Sequence, residues 1–278
     1  MSNEPRLDAT RAPRAKVTAP AVVEMKRRAD PIVVVTAYDY PTARLADEAG
    51  VDILLVGDSL GTVVLGYEST LPVTVEDILH HTRAVVRART AAMVVADMPF
   101  MSYQVSVEQA VRNAGRLIQQ GGADAVKLEG GERVAAAIER LVEIGIPVMG
   151  HLGLTPQSVL AFGGYKVQAR GEAEQERLLR EAQRLESCGC FSIVLEGIPA
   201  KLGADVTRQL QVPTIGIGAG PGCDGQVLVS HDLLGLYHGR SPKFVRRYAG
   251  IADTMREAFE HFRADVKSHN FPSERESY

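Results

Sequence analysis

Six ionisable residues, Asp58, Asp97, Lys127, Glu129, His151 and Glu196, lie at the ends of short apolar runs: ILLVGD, MVVAD, AVKLE, PVMGH and SIVLE. Several such groups converging on one place would cost several kcal/mol each in desolvation unless a cation, each other or a ligand compensates. Four carboxylates against one lysine leave an acidic surplus that a divalent metal would neutralise. The candidate ligands are oxygens, with no His or Cys cluster, which points to a hard cation, Mg²⁺ before Mn²⁺, with water or substrate completing its shell. A 2-oxo acid fits that open position through its keto oxygen and carboxylate, and the metal would stabilise the enolate formed when the adjacent carbon loses a proton. In this chemistry Glu196 is the candidate base, Lys127 pairs with the substrate carboxylate or the enolate oxygen, and Ser59 donates a further hydrogen bond. Singly, each residue also has a plain structural reading. An Asp after a strand caps the next helix, Lys127 and Glu129 form a salt bridge at a sheet edge, and His151 is a hydrogen-bonded core histidine.

The elements that must position these groups follow from the same runs. PIVVVTA at 31–37 is β-branched and uncharged, and DILLVG, AAMVVAD, ADAVKLE, IPVMGHLG, FSIVLEG and VPTIGIGAG follow it, with QVLVS at 226–230 as an eighth. Amphipathic stretches separate them, beginning with a helix expected over Ala21 to Arg28. Continuous apolar strands alternating with helices mean a parallel sheet covered on both faces, either a closed (β/α)8 barrel or an open doubly wound sheet. The polar residues are spread over many strand ends rather than gathered at one switch point, which favours the barrel. Parity along each run assigns Asp58 to the face of Val56, Asp97 to that of Val95, Lys127 and Glu129 to that of Ala125, His151 to that of Met149 and Glu196 to that of Val194. All fall at the C-terminal ends, where barrel enzymes carry their sites. GIGAGPG at 216–222 reads equally as an anion-binding loop or as close backbone packing, and RSPKFVRR at 240–247 reads as a solvated helix face.

At 278 residues and 45% hydrophobic content, one large core is expected: an arm over 1–18, a barrel domain over 19–268 and a tail over 269–278. A net charge of −3 argues against nucleic acid and anionic membranes as partners and for small molecules. Cys188, Cys190 and Cys223 are an odd set with spacing wrong for a CxxC, so they read as packing residues in a reducing cytoplasm. The start, MSNEPRLDATRAPRAK, has no apolar signal core, and no run reaches the length of a membrane span.

TAYDYPTA, LLVGDSLG, TLPVTVEDI, ADMPFMSY, VKLEGG, GHLGLTPQS, FGGYKVQ and GIGAG…DGQ together resemble the ketopantoate hydroxymethyltransferase family over about Pro31 to Tyr248. The resemblance implies a (β/α)8 TIM barrel of the phosphoenolpyruvate/pyruvate type and a homo-oligomer, commonly a decamer. It implies Mg²⁺-dependent transfer of a hydroxymethyl unit from 5,10-methylenetetrahydrofolate to 3-methyl-2-oxobutanoate, giving 2-dehydropantoate for pantothenate and coenzyme A. By motif it assigns Asp58 and Asp97 to both substrate and Mg²⁺, Ser59 and Lys127 to substrate, Glu129 to the metal site and Glu196 to proton abstraction. Gly197 departs from the family, which more often has a bulkier residue after the base. Two enzyme rivals share the architecture: a metal-dependent lyase or phosphonopyruvate-type mutase, which usually carries a reactive loop cysteine, and a metal-free aldolase with Lys127 as Schiff-base nucleophile. A non-enzymatic barrel scaffold would have no need of the charged rim.

Overall fold

The expected apolar runs form parallel strands in chain order: β1 (Ile32–Thr36), β2 (Ile53–Val56), β3 (Met93–Asp97), β4 (Ala125–Glu129), β5 (Val148–Gly153), β6 (Ser192–Glu196), β7 (Thr214–Ile217) and β8 (Gly225–Leu228). Each pairs with the next, and β8 returns to β1 with Gly225 opposite Ile32, so the sheet is a closed barrel and not an open one. The computed structural model describes residues 14–88, 90–236 and 242–278. Within them the helices are α1 (Ala19–Arg27), α2 (Tyr40–Glu48), α3 (Leu60–Val63), α4 (Val75–Val86), α5 (Val107–Gln119), α6 (Ala135–Glu143), α7 (Val159–Phe162), α8 (Glu172–Ser187), α9 (Ala200–Gln209), α10 (Ser230–Leu233) and α11 (Ile251–Lys267). Their starts are set by local chemistry. The Thr74 and Asp77 side chains form a capping box at α4, and Asp39 and Ser106 accept from Thr42 N and Gln109 N at the starts of α2 and α5.

Strand parity divides the core in two. Ile32, Val34, Ile53, Leu55, Met93, Val95, Ala125, Met149, Val194, Ile215 and Val227 fill the barrel interior, and Val22 of α1 joins them. Leu54, Val56, Val94, Ala96, Val126, Leu128, Ile193 and Leu195 face outward and pack with the helices. A fully buried side chain of this kind contributes about 1.5–3 kcal/mol, so both layers favour the register that sends Lys127 and Glu129 inward. Parity fails at one place. Val56 belongs to the outer layer, and β2 ends there, so Asp58 lies in the turn beyond the strand and its direction is set by that turn.

Residues 1–13 of the expected arm lie outside the described residues; residues 14–18 are fixed rather than loose. Arg14 donates to the carbonyls of Gly50 and Val51, and Lys16 pairs with Asp124 at 2.7 Å, tying the chain to the N-terminal ends of β2 to β4. Residues 240 and 241 lie outside the described set, and 242–247 form no helix, contrary to the helix-face expectation; Phe244 packs on Gly218, after β7. Gly220 and Gly222 lie so close to Ala200 and Ala204 of α9 that a Cβ would fall 2.4 and 2.6 Å from their methyls, so close packing accounts for the glycine-rich run. Cys188 and Cys190 are buried beside β6, and all three cysteines are free thiols. The last helix, α11, buries none of its residues. Among the described residues no helix is long and apolar enough to cross a membrane.

Candidate active site

The barrel mouth gathers all the charged residues singled out from the sequence. Asp97, Lys127, Glu129 and His151 are each at most 4% exposed, as is Asp58. Lys127 Nζ lies 2.9 Å from Asp97 Oδ1 and 3.5 Å from Glu129 Oε1. His151 bridges two strands, with Nδ1 3.2 Å from Glu129 Oε1 and Nε2 3.3 Å from Glu196 Oε2. Asp58 does not cap α3, whose first residues have no side-chain cap; its backbone N–H donates to Asp97 Oδ2 at 3.1 Å. Ser59 Oγ is 2.8 Å from the Tyr38 hydroxyl, which faces the mouth from the end of β1. Gly153, at φ +93°, lets β5 close on β6, since a Cβ there would fall 2.2 Å from the Glu196 carbonyl oxygen.

The charges shape one another. Burial, then the charges of Asp97 and Glu129, hold the Asp58 carboxyl well above the usual carboxylate range. Burial also raises Asp97, against the pull of Lys127. For Glu129 burial acts upward, but Lys127 and His151 outweigh it and its carboxyl lies below the ordinary value. Burial and the Lys127 charge oppose protonation of His151, yet Glu129 and Glu196 prevail and lift it to about 9. The imidazolium then sits as an ion-pair partner between Glu129 and Glu196, and the Lys127 ammonium 3.3 Å from Nδ1 is a like charge held by the carboxylates around it. Burial opposes the Lys127 ammonium too, but Asp97, Glu129 and Asp58 raise its pKa, which keeps the amine charged and unsuited to Schiff-base attack.

One oxygen from each of Asp58, Asp97 and Glu129 lies within 4.8 Å of the others, close to the span of a single octahedral cation with ligands at about 2.0–2.1 Å. Asp97 Oδ1 and Glu129 Oε1 are buried acceptors that no donor meets with hydrogen-bond geometry. Unspent lone pairs on hard oxygen ligands fit Mg²⁺ in both chemistry and direction of charge.

A family model described as ketopantoate hydroxymethyltransferase matches residues 16–274. The chain belongs to this family. It is 57% identical over 267 residues to 3-methyl-2-oxobutanoate hydroxymethyltransferase of Moorella thermoacetica, covering 96% of this chain and 99% of that protein. The same-named protein of Syntrophus aciditrophicus is 56% identical over 269 residues, 97% of this chain and 99% of that one. In fold the chain is similar to 2,3-dimethylmalate lyase, a member of the PEP mutase/isocitrate lyase superfamily, at TM-score 0.61 and 18% identity over 91% of this chain and 87% of that one. A phosphonopyruvate hydrolase solved with oxalate and Mg²⁺ gives TM-score 0.60 and 14% identity, covering 93% of each chain. These distant likenesses agree with the expected barrel type.

Sequence reasoning passed over three uncharged residues of this mouth. Tyr38 reaches Ser59, Tyr103 donates to Gln157 Oε1 at 2.7 Å, and Gln157 donates to Asp58 Oδ2 at 3.0 Å. The available signal was a glutamine six residues beyond the strand-end His151, in a run otherwise short of polar side chains.

Proposed function

We propose that this chain transfers a hydroxymethyl unit from 5,10-methylenetetrahydrofolate to 3-methyl-2-oxobutanoate, forming 2-dehydropantoate on the route to pantothenate and coenzyme A, as a Mg²⁺-dependent cytoplasmic homo-oligomer. The observation that carries the reading is the trio of buried carboxylates with converging oxygens, set beside a charged lysine and a fourth carboxylate, in a chain of this family.

Asp58, Asp97 and Glu129 would hold Mg²⁺, which when bound supplies Lewis acidity toward the keto oxygen of the 2-oxo acid. Lys127, already charged, pairs with the substrate carboxylate or the developing enolate oxygen, and Ser59, oriented by Tyr38, adds a hydrogen bond. Glu196 takes the proton from the carbon next to the keto group, with His151 Nε2 3.3 Å from one of its oxygens. The carbanion equivalent then forms a carbon–carbon bond to the one-carbon unit. Water supplies the hydroxyl oxygen of the product and tetrahydrofolate leaves, so atoms balance.

Oligomerisation is supported by α11. Met255, Phe259, Phe262 and Val266 of this helix are 42–67% exposed, an apolar stripe that a lone barrel leaves in water. A decamer follows the family resemblance.

The test is a turnover assay with 3-methyl-2-oxobutanoate, methylenetetrahydrofolate and Mg²⁺, omitting each in turn. Activity is expected only with all three. Product formed without folate overturns the donor, activity surviving EDTA overturns the metal, and a borohydride-trapped adduct on Lys127 would put a Schiff base in its place.

A further inference from the structure

The three carboxylates proposed to hold the metal, Asp58, Asp97 and Glu129, share one pattern. Each has an oxygen tied by an uncharged N–H donor: Asp97 Oδ2 by Asp58 N at 3.1 Å, Asp58 Oδ2 by Gln157 Nε2 at 3.0 Å and Glu129 Oε2 by Gln157 N at 3.1 Å. Two of the three ties come from Gln157, which is 6% exposed. We infer that Gln157 is a positioning residue that aims Asp58 and Glu129 at a shared divalent cation, an inference that rests on the metal-dependent reading above.

Its own bonding is complete. Nε2 spends its second hydrogen on the Met98 carbonyl at 2.9 Å, and Oε1 accepts from the Tyr103 hydroxyl at 2.7 Å and from Gln104 Nε2 at 3.2 Å. The orientation of the amide is fixed by this network, because the flipped form would put its oxygen against a carboxylate and a carbonyl. Tyr103 in turn accepts from Glu129 N at 3.1 Å, so the same hydroxyl braces both the amide and the strand end that carries Glu129. A fully satisfied buried network holds one geometry. The donors are neutral, and that is the useful property: a lysine or arginine here would hold the carboxylates equally well but cancel the negative charge that attracts the cation. Gln157 fixes direction and leaves charge. Asp97 Oδ1 and Glu129 Oε1, short of hydrogen bonds though paired in charge with Lys127, lie on the sides these neutral donors do not tie.

The experiment is Mn²⁺ binding without substrate, read from the free-ion paramagnetic resonance signal, on wild type, Gln157→Met and Tyr103→Phe, each checked for wild-type circular dichroism. Gln157→Met keeps length and bulk but removes the side-chain donors, and is expected to raise the Mn²⁺ Kd by about 10- to 100-fold, the usual cost of losing a partner behind a metal ligand. The Mg²⁺ concentration for half-maximal activity should rise by a comparable factor while kcat falls much less, a split that general loosening of the mouth would not produce. Tyr103→Phe is expected to shift the Kd the same way but less, and it decides the matter if Gln157→Met does not fold. Wild-type Kd in the folded variants overturns the inference. A wild-type protein that binds no Mn²⁺ at all would instead overturn the metal-dependent reading beneath it.

Discussion

Glu196 differs from its neighbours in keeping contact with solvent: its side chain is 15% exposed, against 1% for Asp97 and Glu129. A carboxylate so placed, proposed above as the base, can trade its proton with water. Glu196→Gln should therefore slow α-proton exchange of 3-methyl-2-oxobutanoate in D₂O by about 100-fold or more while leaving metal binding near wild type; exchange at the wild-type rate would remove Glu196 from the base role. Asp58→Asn acts on a different quantity. It removes a ligand charge and should weaken Mg²⁺ and oxo-acid binding together, and calorimetric titration showing unchanged Mg²⁺ affinity would count against Asp58 as a ligand. For His151 the sign is set by its pKa, raised from 6.5 to about 9. A raised folded-state pKa gives stability that is complete below about pH 6.5 and is lost as pH climbs through about 9. In metal-free protein, urea unfolding should show wild type losing on the order of 3 kcal/mol over that window relative to His151→Gln. Parallel pH profiles for the two proteins would mean His151 is neutral in the mouth.

Strands carry these side chains, and their continuity decides whether a sequence pattern can be read as a direction. Ala125, Lys127 and Glu129 follow parity because β4 is regular to its last residue. Asp58 does not, because β2 stops at Val56 and two residues of turn intervene. The Asp58 carboxylate reaches the mouth all the same, held by Gln157 of a short 3-10 turn 99 positions further along the chain. Between β5 and β6 the controlling residue is Gly153. Alanine there would meet both a left-handed backbone and the Glu196 carbonyl oxygen, so Gly153→Ala should destabilise by about 1–3 kcal/mol and lower kcat through displacement of Glu196. Equal thermal melting of variant and parent would show that β5 and β6 can separate freely.

At the scale of the whole molecule, α11 is an amphipathic helix without a core to lie on. Phe262 meets Phe271 edge to face at 5.4 Å, and the rest of the stripe remains bare. Replacing Phe259 and Phe262 by Asp should convert the proposed oligomer to smaller species without unfolding the barrel, as followed by light scattering on a sizing column; an unchanged mass would place the contact elsewhere. The barrel itself was legible in the sequence, since seven clear apolar runs and a weaker eighth, spaced by helical stretches, admit few arrangements. So were the charged members of the site, because ionisable residues at the ends of buried strands are costly enough to mark themselves. Neutral residues carry no such mark. Little local tells what Gln157 or Tyr103 will bind, since their partners lie 99, 54 and 26 residues away, nor that His151 sits between Glu129 and Glu196. The sequence by itself determined which elements form and which charges they carry, through periodicity and hydrophobicity, which are local properties. Only the tertiary structure decided which oxygens are tied and which are left open, because hydrogen-bond valence is settled between groups that meet in space.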